Sequence, residues 1–151
     1  LMGHTEAWQW SPNMIWFNNL QALATANYQV QKLFSNNKGT HVVSITREGK
    51  PLTGRDDLYA SAVIDQTRKA LIVKLVNTGE NTRKVELSLP AAALKAKTTV
   101  TILTAEGLGT ENNFSSPAAI EPVTQKQTLN DSGAYTAPAH SVSVITIPVK
   151  Q

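Results

Sequence analysis

Chemistry in this chain has to come from its histidines, hydroxyls, carboxylates and glycine-rich turns, and each chemistry sets a spacing requirement. The three histidines, His4, His41 and His140, are scattered across 151 residues, without the short ligand intervals of a metal site. Each reads as a surface or capped imidazole. His140-Ser141 sets a base beside a hydroxyl, but no G-x-S-x-G turn surrounds Ser141 to expose it as a nucleophile. Gly107-Leu108-Gly109 lacks the third glycine and the helix of a dinucleotide loop. Asp56-Asp57 and Asn130-Asp131 could touch a structural cation, although such pairs are also the ordinary composition of solvated turns. Asn113-Phe114-Ser115 and Asn130-Asp131-Ser132 match the N-glycosylation acceptor pattern, which has meaning only in a eukaryotic source. No metal or cofactor is expected from any of these sets.

Composition narrows the classes further. The length suits one domain, and 41% hydrophobic residues can bury a core without covalent staples. With no cysteine, disulfide scaffolds and cysteine-based zinc sites are excluded, whereas the compartment stays open. The net charge of +3 comes from 14 basic and 11 acidic residues, and the basic ones are dispersed, so a nucleic-acid partner is not expected. No run approaches the ~18 apolar residues of a membrane-spanning helix, and the first residues lack a basic region followed by an apolar core. The chain opens on Leu1, as a piece of a longer polypeptide would.

The elements that must carry any site divide at about residue 40. Trp10 to Gly39 holds two of the three tryptophans and two of the three phenylalanines. Within it, Val30, Leu33, Phe34 and Asn37 recur at helical spacing with Tyr28 on the edge, while Gln29, Gln31 and Lys32 fall opposite. Thr25 is a fair N-cap, and Lys38 followed by Gly39 reads as a C-terminal stop, which predicts a helix from Ala26 to Lys38. Met14-Ile15-Trp16-Phe17 is a large apolar run that periodicity cannot assign to helix or strand, and it needs an apolar partner surface. Leu1 to Trp10 reads as a loop.

From His41 the period becomes two. Strands are expected at His41 to Thr46, Leu58 to Asp65, Lys69 to Asn77, Arg83 to Leu89, Lys97 to Ala105 and Ser141 onward, with Arg47 to Asp57 a polar loop. The second and third form a hairpin, and Lys69 to Asn77 is an interior strand with one wetter face. Ala91 to Ala96 offers one helical turn, and Glu106 to Ala139 reads as long connections with one or two short strands. About seven or eight short strands without a repeat indicate two antiparallel sheets face to face. The expected fold is mainly β, an antiparallel, jelly-roll-like β-sandwich preceded by a helical segment.

The stretch W-S-P-N-M-I-W-F-N-N from Trp10, followed by N-Y-Q-V-Q-K-L-F-S-N-N-K-G from Asn27, resembles the segment of glycoside hydrolase family 51 α-L-arabinofuranosidases that joins their catalytic (β/α)8 barrel to a C-terminal β-sandwich. Asn13 stands where that family commonly has Asp, and Gln29 where a second aromatic often sits. A weaker likeness runs through N-x-F-x-x-P-x-x-I-x-P-V, from Asn112 to Val123, and A-P-A-H-S-V-S-V-I near the end. The resemblance implies that residues 1–40 are a loop and the last helix left over from the barrel, and that 41–151 are the sandwich. It also implies that the first residues follow the eighth barrel strand, at the face where barrel loops build active sites. His4, Glu6, Trp8 and Trp10 are then the residues that could line a sugar pocket, with Trp8 and Trp10 as candidate substrate contacts. Anchoring the loop is the plainer role for both.

A retaining glycosidase needs two carboxyl groups about 5 to 5.5 Å apart. The resemblance puts both family glutamates on barrel strands preceding Leu1. Glu80, Glu86 and Glu111 fall in turns or on an outward strand face, and Glu6 is not on a loop that bears the family's carboxylates, so no catalytic residue is expected here. The implied parent hydrolyses terminal α-L-arabinofuranosyl units of arabinan, arabinoxylan or oligosaccharides with retention, and this segment braces it. The alternative is a free-standing carbohydrate-binding or adhesion module, which would display a row of exposed aromatics. After Gly39 the chain offers Tyr59, Phe114 and Tyr135, and no tryptophan. Apolar front-end surfaces without the barrel predict self-association, so a homo-oligomer is expected.

Overall fold

The computed structural model describes residues 2–4, 13–129 and 132–149. Strands β1 (Met2–His4), β2 (Ile15–Phe17) and β3 (Ala22–Ala24) precede helix α1 (Ala26–Asn36). Then come β4 (His41–Val43), β5 (Thr46–Arg47), β6 (Lys50–Pro51), β7 (Thr53–Arg55), β8 (Leu58–Asp65), β9 (Ala70–Asn77) and β10 (Arg83–Glu86). Single-turn α2 (Ala91–Leu94), β11 (Lys97–Thr104), β12 (Val123–Thr128), β13 (Ala134–Ala137) and β14 (Ser141–Pro148) complete the order. The chain is mainly β, as expected.

The body is an antiparallel sheet in the order β12-β11-β14-β9-β8-β4, with β7 also paired to β8. The expected β8–β9 hairpin runs in register from Leu58↔Asn77 to Asp65↔Ala70. Last strand β14 inserts between β9 and β11, a long-range pairing that no local turn dictates. The face-to-face partner is small, since β10 pairs antiparallel with β13 as a two-stranded sheet. Val85, Leu87 and Leu89 alternate inward, as their period-two spacing requires, and cover Leu58, Ala62, Val73, Leu75, Val100, Ile145 and Ile147 together with Ala93 of α2 and Tyr135 of β13.

The opposite face of the large sheet is the wetter one expected of β9 toward Lys74 and Val76, which are half-buried, but not at its other end. Ile72 is fully buried there, in one cluster with Ala70, Leu103, Ile120 and Val144, and Leu33 of α1 closes it with Val30 and Ala26 packed alongside. Gln31 and Lys32 remain exposed on the far side of the helix. The predicted helical face is thus the docking face.

Thr25 caps α1 by accepting the Tyr28 N–H at 3.3 Å. The helix stops at Asn36, short of Lys38, because Asn37 turns back on it, with its backbone N–H to the Phe34 carbonyl at 3.2 Å and its Nδ2 to the Leu33 carbonyl at 2.9 Å. Gly39 is not the stop. A Cβ there would stand 2.7 Å from the Ile64 carbonyl oxygen and from Val63 Cβ, so glycine is required by close approach to β8. Lys74 Nζ donates to the Phe34 carbonyl at 3.3 Å and lies 4.9 Å from the Phe34 ring centre. Arg68 Nη2 reaches the Asn36 and Lys38 carbonyls, both at 3.4 Å, while its Nε donates to Asp65. Cations from the hairpin therefore meet the negative end of the helix dipole.

Three further segments differ from expectation. Met2–His4 is a strand, parallel to β2. Ile15–Phe17 is half-buried rather than enclosed. The polar stretch after β4 folds into a small hairpin, β5–β6, whose turn residues Glu48 and Gly49 have φ of 53° and 74°, the positive φ pair that a tight two-residue hairpin demands.

Two outcomes follow. Leu33→Ala removes the knob beneath α1 and should cost about 2–5 kcal/mol in urea unfolding. Asp65 is held below the ordinary aspartate range by the Arg68 side-chain hydrogen bond first and the Arg68 backbone N–H second, with burial opposing. A carboxyl depressed in the folded state contributes stability above its unfolded pKa of about 3.9 and loses it as pH falls toward the native value. The stability gap between wild type and Asp65→Asn should accordingly be widest at neutral pH and shrink below about pH 4.

Candidate functional site

Trp8, Trp10 and Glu6 lie outside the described residues, and His4 closes β1. The remaining candidates from the sequence are not brought together. His41 is exposed with Nδ1 2.9 Å from Thr40 Oγ1. Ser141 is buried and its Oγ donates to the Pro138 carbonyl at 2.7 Å, which occupies it structurally. Asp56 and Asp57 have φ of 54° and 61° in the two-residue turn joining β7 to β8, so turn geometry accounts for the pair. Glu80, Glu86 and Glu111 are all exposed. Among the described residues no group of three or more His, Asp or Glu side chains could hold a metal ion, and no helix is long and apolar enough to cross a membrane.

The residues next to the candidate loop are the better defined part. β1, β2 and β3 form a separate sheet, parallel between β1 and β2 and antiparallel between β2 and β3. Thr25, besides capping α1, donates its hydroxyl to the Asn13 and Met14 carbonyls, both at 3.0 Å, and its backbone N–H to Met14 O at 2.9 Å. Asn13 is 5% exposed, so the chain entering β2 is seated in protein. From the β11–β12 connection, Asn112 Nδ2 reaches the Ala24 carbonyl at 2.9 Å. The motif beginning at Asn112 marked this contact in the sequence, but nothing local in it indicated a partner in β3.

The second feature is a cavity of about 600 Å³ between the large sheet and β10. Val43, Ile45, Leu58, Val73, Val85 and Leu87 line it, with the Arg47–Asp56 ion pair, 2.9 Å, at its mouth. It contains no aromatic ring, the surface on which a sugar stacks, and exposed polar residues, among them Ser44, Arg83 and Glu86, share its lining with the aliphatic ones under the narrow two-stranded cover. On the sandwich itself Tyr59 is exposed, Phe114 is half-buried and Tyr135 is buried with its hydroxyl donating to Ser143 Oγ at 2.8 Å. Those three form no exposed aromatic row.

Comparison with known proteins agrees with this arrangement. The family profile described as the α-L-arabinofuranosidase C-terminal domain matches residues 5–141. α-L-Arabinofuranosidase 2 of Arabidopsis thaliana is 30% identical over 150 residues, covering 95% of this chain and 21% of its own length. An extracellular exo-α-L-arabinofuranosidase of Streptomyces chartreusis is 49% identical over 43 residues, 28% of this chain and 5% of its own. Among solved structures, arabinose-bound MgGH51 α-L-arabinofuranosidase superposes with a TM-score of 0.84 at 24% identity, over 99% of this chain and 23% of that one. The α-L-arabinofuranosidase of Thermotoga maritima, in an arabinose complex, gives 0.73 at 22% identity, over 87% and 30%. The chain spans about a fifth of the length of the Arabidopsis relative. With a profile match across nearly its whole length and a sheet arrangement shared with these enzymes, the chain belongs to the α-L-arabinofuranosidase C-terminal domain family.

Proposed function

We propose that this chain is the non-catalytic C-terminal portion of an α-L-arabinofuranosidase and that its role is to brace the barrel that cuts. The observation that carries the reading is the family match over residues 5–141 in a chain covering 21% of a relative, which leaves the greater part of such an enzyme outside it. Residues 1–40, with β1, β2, β3 and α1, supply the end of the barrel including its last helix, and 41–151 the jelly-roll-like sandwich. Trp8 and Trp10 line the sugar pocket of the assembled enzyme, and both catalytic glutamates come from the barrel. The parent releases terminal arabinofuranosyl units from arabinan, arabinoxylan or their oligosaccharides with retention of configuration.

The assay is hydrolysis of 4-nitrophenyl α-L-arabinofuranoside by this chain and by the full-length parent. An inert chain and an active parent are expected. Turnover by the chain alone, or an inactive parent, would overturn the reading, and tight binding of the chain to arabinan would favour a carbohydrate-binding module. The apolar run of β2, Ile15–Phe17, is only half-buried, and apolar surface left without a partner favours self-association. Sedimentation of the isolated chain should give a dimer or larger species, and a monomer at every concentration would count against it.

A further inference from the structure

The β11–β12 connection carries a buried carboxamide that none of the sheet ladders requires. Asn112 is 6% exposed. Its Oδ1 accepts the Ile120 N–H at 2.6 Å, while its Nδ2 donates to the Ile120 carbonyl at 3.0 Å and to the Ala24 carbonyl at 2.9 Å. The first two bonds close the connection on itself and seat Ile120 in the cluster beneath α1. The third leaves the sandwich and grips β3. Ala24 is paired with Ile15 across the β2–β3 ladder, and Thr25 beside it holds the Asn13 and Met14 carbonyls. A continuous run of directional bonds therefore leads from the sandwich through Asn112, Ala24 and Thr25 to the start of β2.

Directionality is what this run adds. Packing of Leu33 on Ile72 resists separation of helix and sheet, but apolar contact is non-directional and tolerates sliding. One buried amide donating to two carbonyls on different segments fixes their relative position, because a shift of either leaves a buried donor unsatisfied. We propose that Asn112 is a positioning residue for the parent's reaction: through Ala24 and Thr25 it sets where the three-stranded sheet stands on the sandwich, and hence how that end of the barrel presents its substrate-binding loops. The inference rests on the brace reading above and names the residue through which the brace acts.

The test uses the full-length parent. Asn112→Asp keeps an acceptor for the Ile120 N–H and removes the donor, and should raise KM for 4-nitrophenyl α-L-arabinofuranoside about tenfold with kcat changed less than about twofold, the pattern of binding energy lost equally from substrate and transition state when the loops that hold the sugar are displaced. Thr25→Val breaks the next link and should act in the same direction, while Thr25→Ser, which retains the hydroxyl, should return KM to the wild-type value. If Asn112→Asp does not fold, the Thr25 pair decides. Tyr135→Phe removes a buried hydrogen bond on the opposite face and should lower Tm while leaving KM unchanged. All three tryptophans are at positions 8, 10 and 16, so their fluorescence in this chain reads the front end alone. Acrylamide quenching should rise in Asn112→Asp at unchanged far-UV circular dichroism. Folded variants with wild-type KM and quenching, or a Tyr135→Phe enzyme with an equal rise in KM, would overturn the proposal. An inactive wild-type parent would overturn the brace reading instead, and unchanged quenching would then still refute the positioning role.

Discussion

A strand that is apolar at Leu71, Ile72, Val73, Leu75 and Val76 has no face to leave in water, and β9 stands at the centre of the large sheet with β8 and β14 beside it. Both faces must be covered, and the covers differ. On one side β10, β13 and α2 contribute a thin second layer over Leu75 and Ile145, and on the other α1 lies over Ile72. Each buried aliphatic side chain contributes roughly 1.5–3 kcal/mol relative to exposure, so the contact of α1 with this face of the sheet is a firm one. The short elements before α1 are consequently tied to the body by the helix that follows them.

Polar groups then fix what the apolar contacts only hold together. Lys74 and Arg68 meet the carbonyl end of α1, and Asp65 aims Arg68. Burial lowers the Lys74 pKa, the sense expected for an ammonium partly removed from water, and the Phe34 carbonyl and ring supply partial compensation. Asn77 plays a comparable part at the other end of β9, with Nδ2 donating to the Asn81 and Pro138 carbonyls at 2.9 and 2.8 Å and Oδ1 accepting the Gly79 N–H at 3.1 Å. It joins the large sheet to the approach of β14. Asn112 does the same for β3. Buried carboxamides suit this role because each offers two donors and an acceptor in one rigid plane.

Among the described residues the acids are solvent-facing or locked to neighbours, Ser141 and Tyr135 spend their hydroxyls on internal bonds, and the gap under β10 offers a sugar neither a ring to stack on nor a buried polar group. Where the family's chemistry takes place elsewhere in the polypeptide, a domain can be judged by the rigidity it transmits. The run of bonds from Asn112 to Met14 is what ties the sandwich to the short elements before α1.

The sequence by itself determined the longer local elements and pointed to the family. Period-two alternation placed β8, β9 and β14, helical spacing placed α1 with Thr25 as its cap, and the Trp10–Gly39 and Asn112–Val123 motifs pointed to arabinofuranosidases. These were legible because each depends on residues close together in the chain. Tertiary structure alone decided that β14 slips between β9 and β11, that the second sheet has two strands, and that α1 roofs the Ala70–Ile72 end of the wetter face of β9. It also decided that Gly39 is required by its approach to Val63 and Ile64 rather than by helix termination, and that Asn112 reaches a carbonyl 88 residues away. Periodicity reports which side chains share a face, but a face does not specify its cover, and a carboxamide in a turn looks the same whether its partner is two residues away or in another sheet. Those choices depend on which distant surfaces meet, and only the folded chain brings them together.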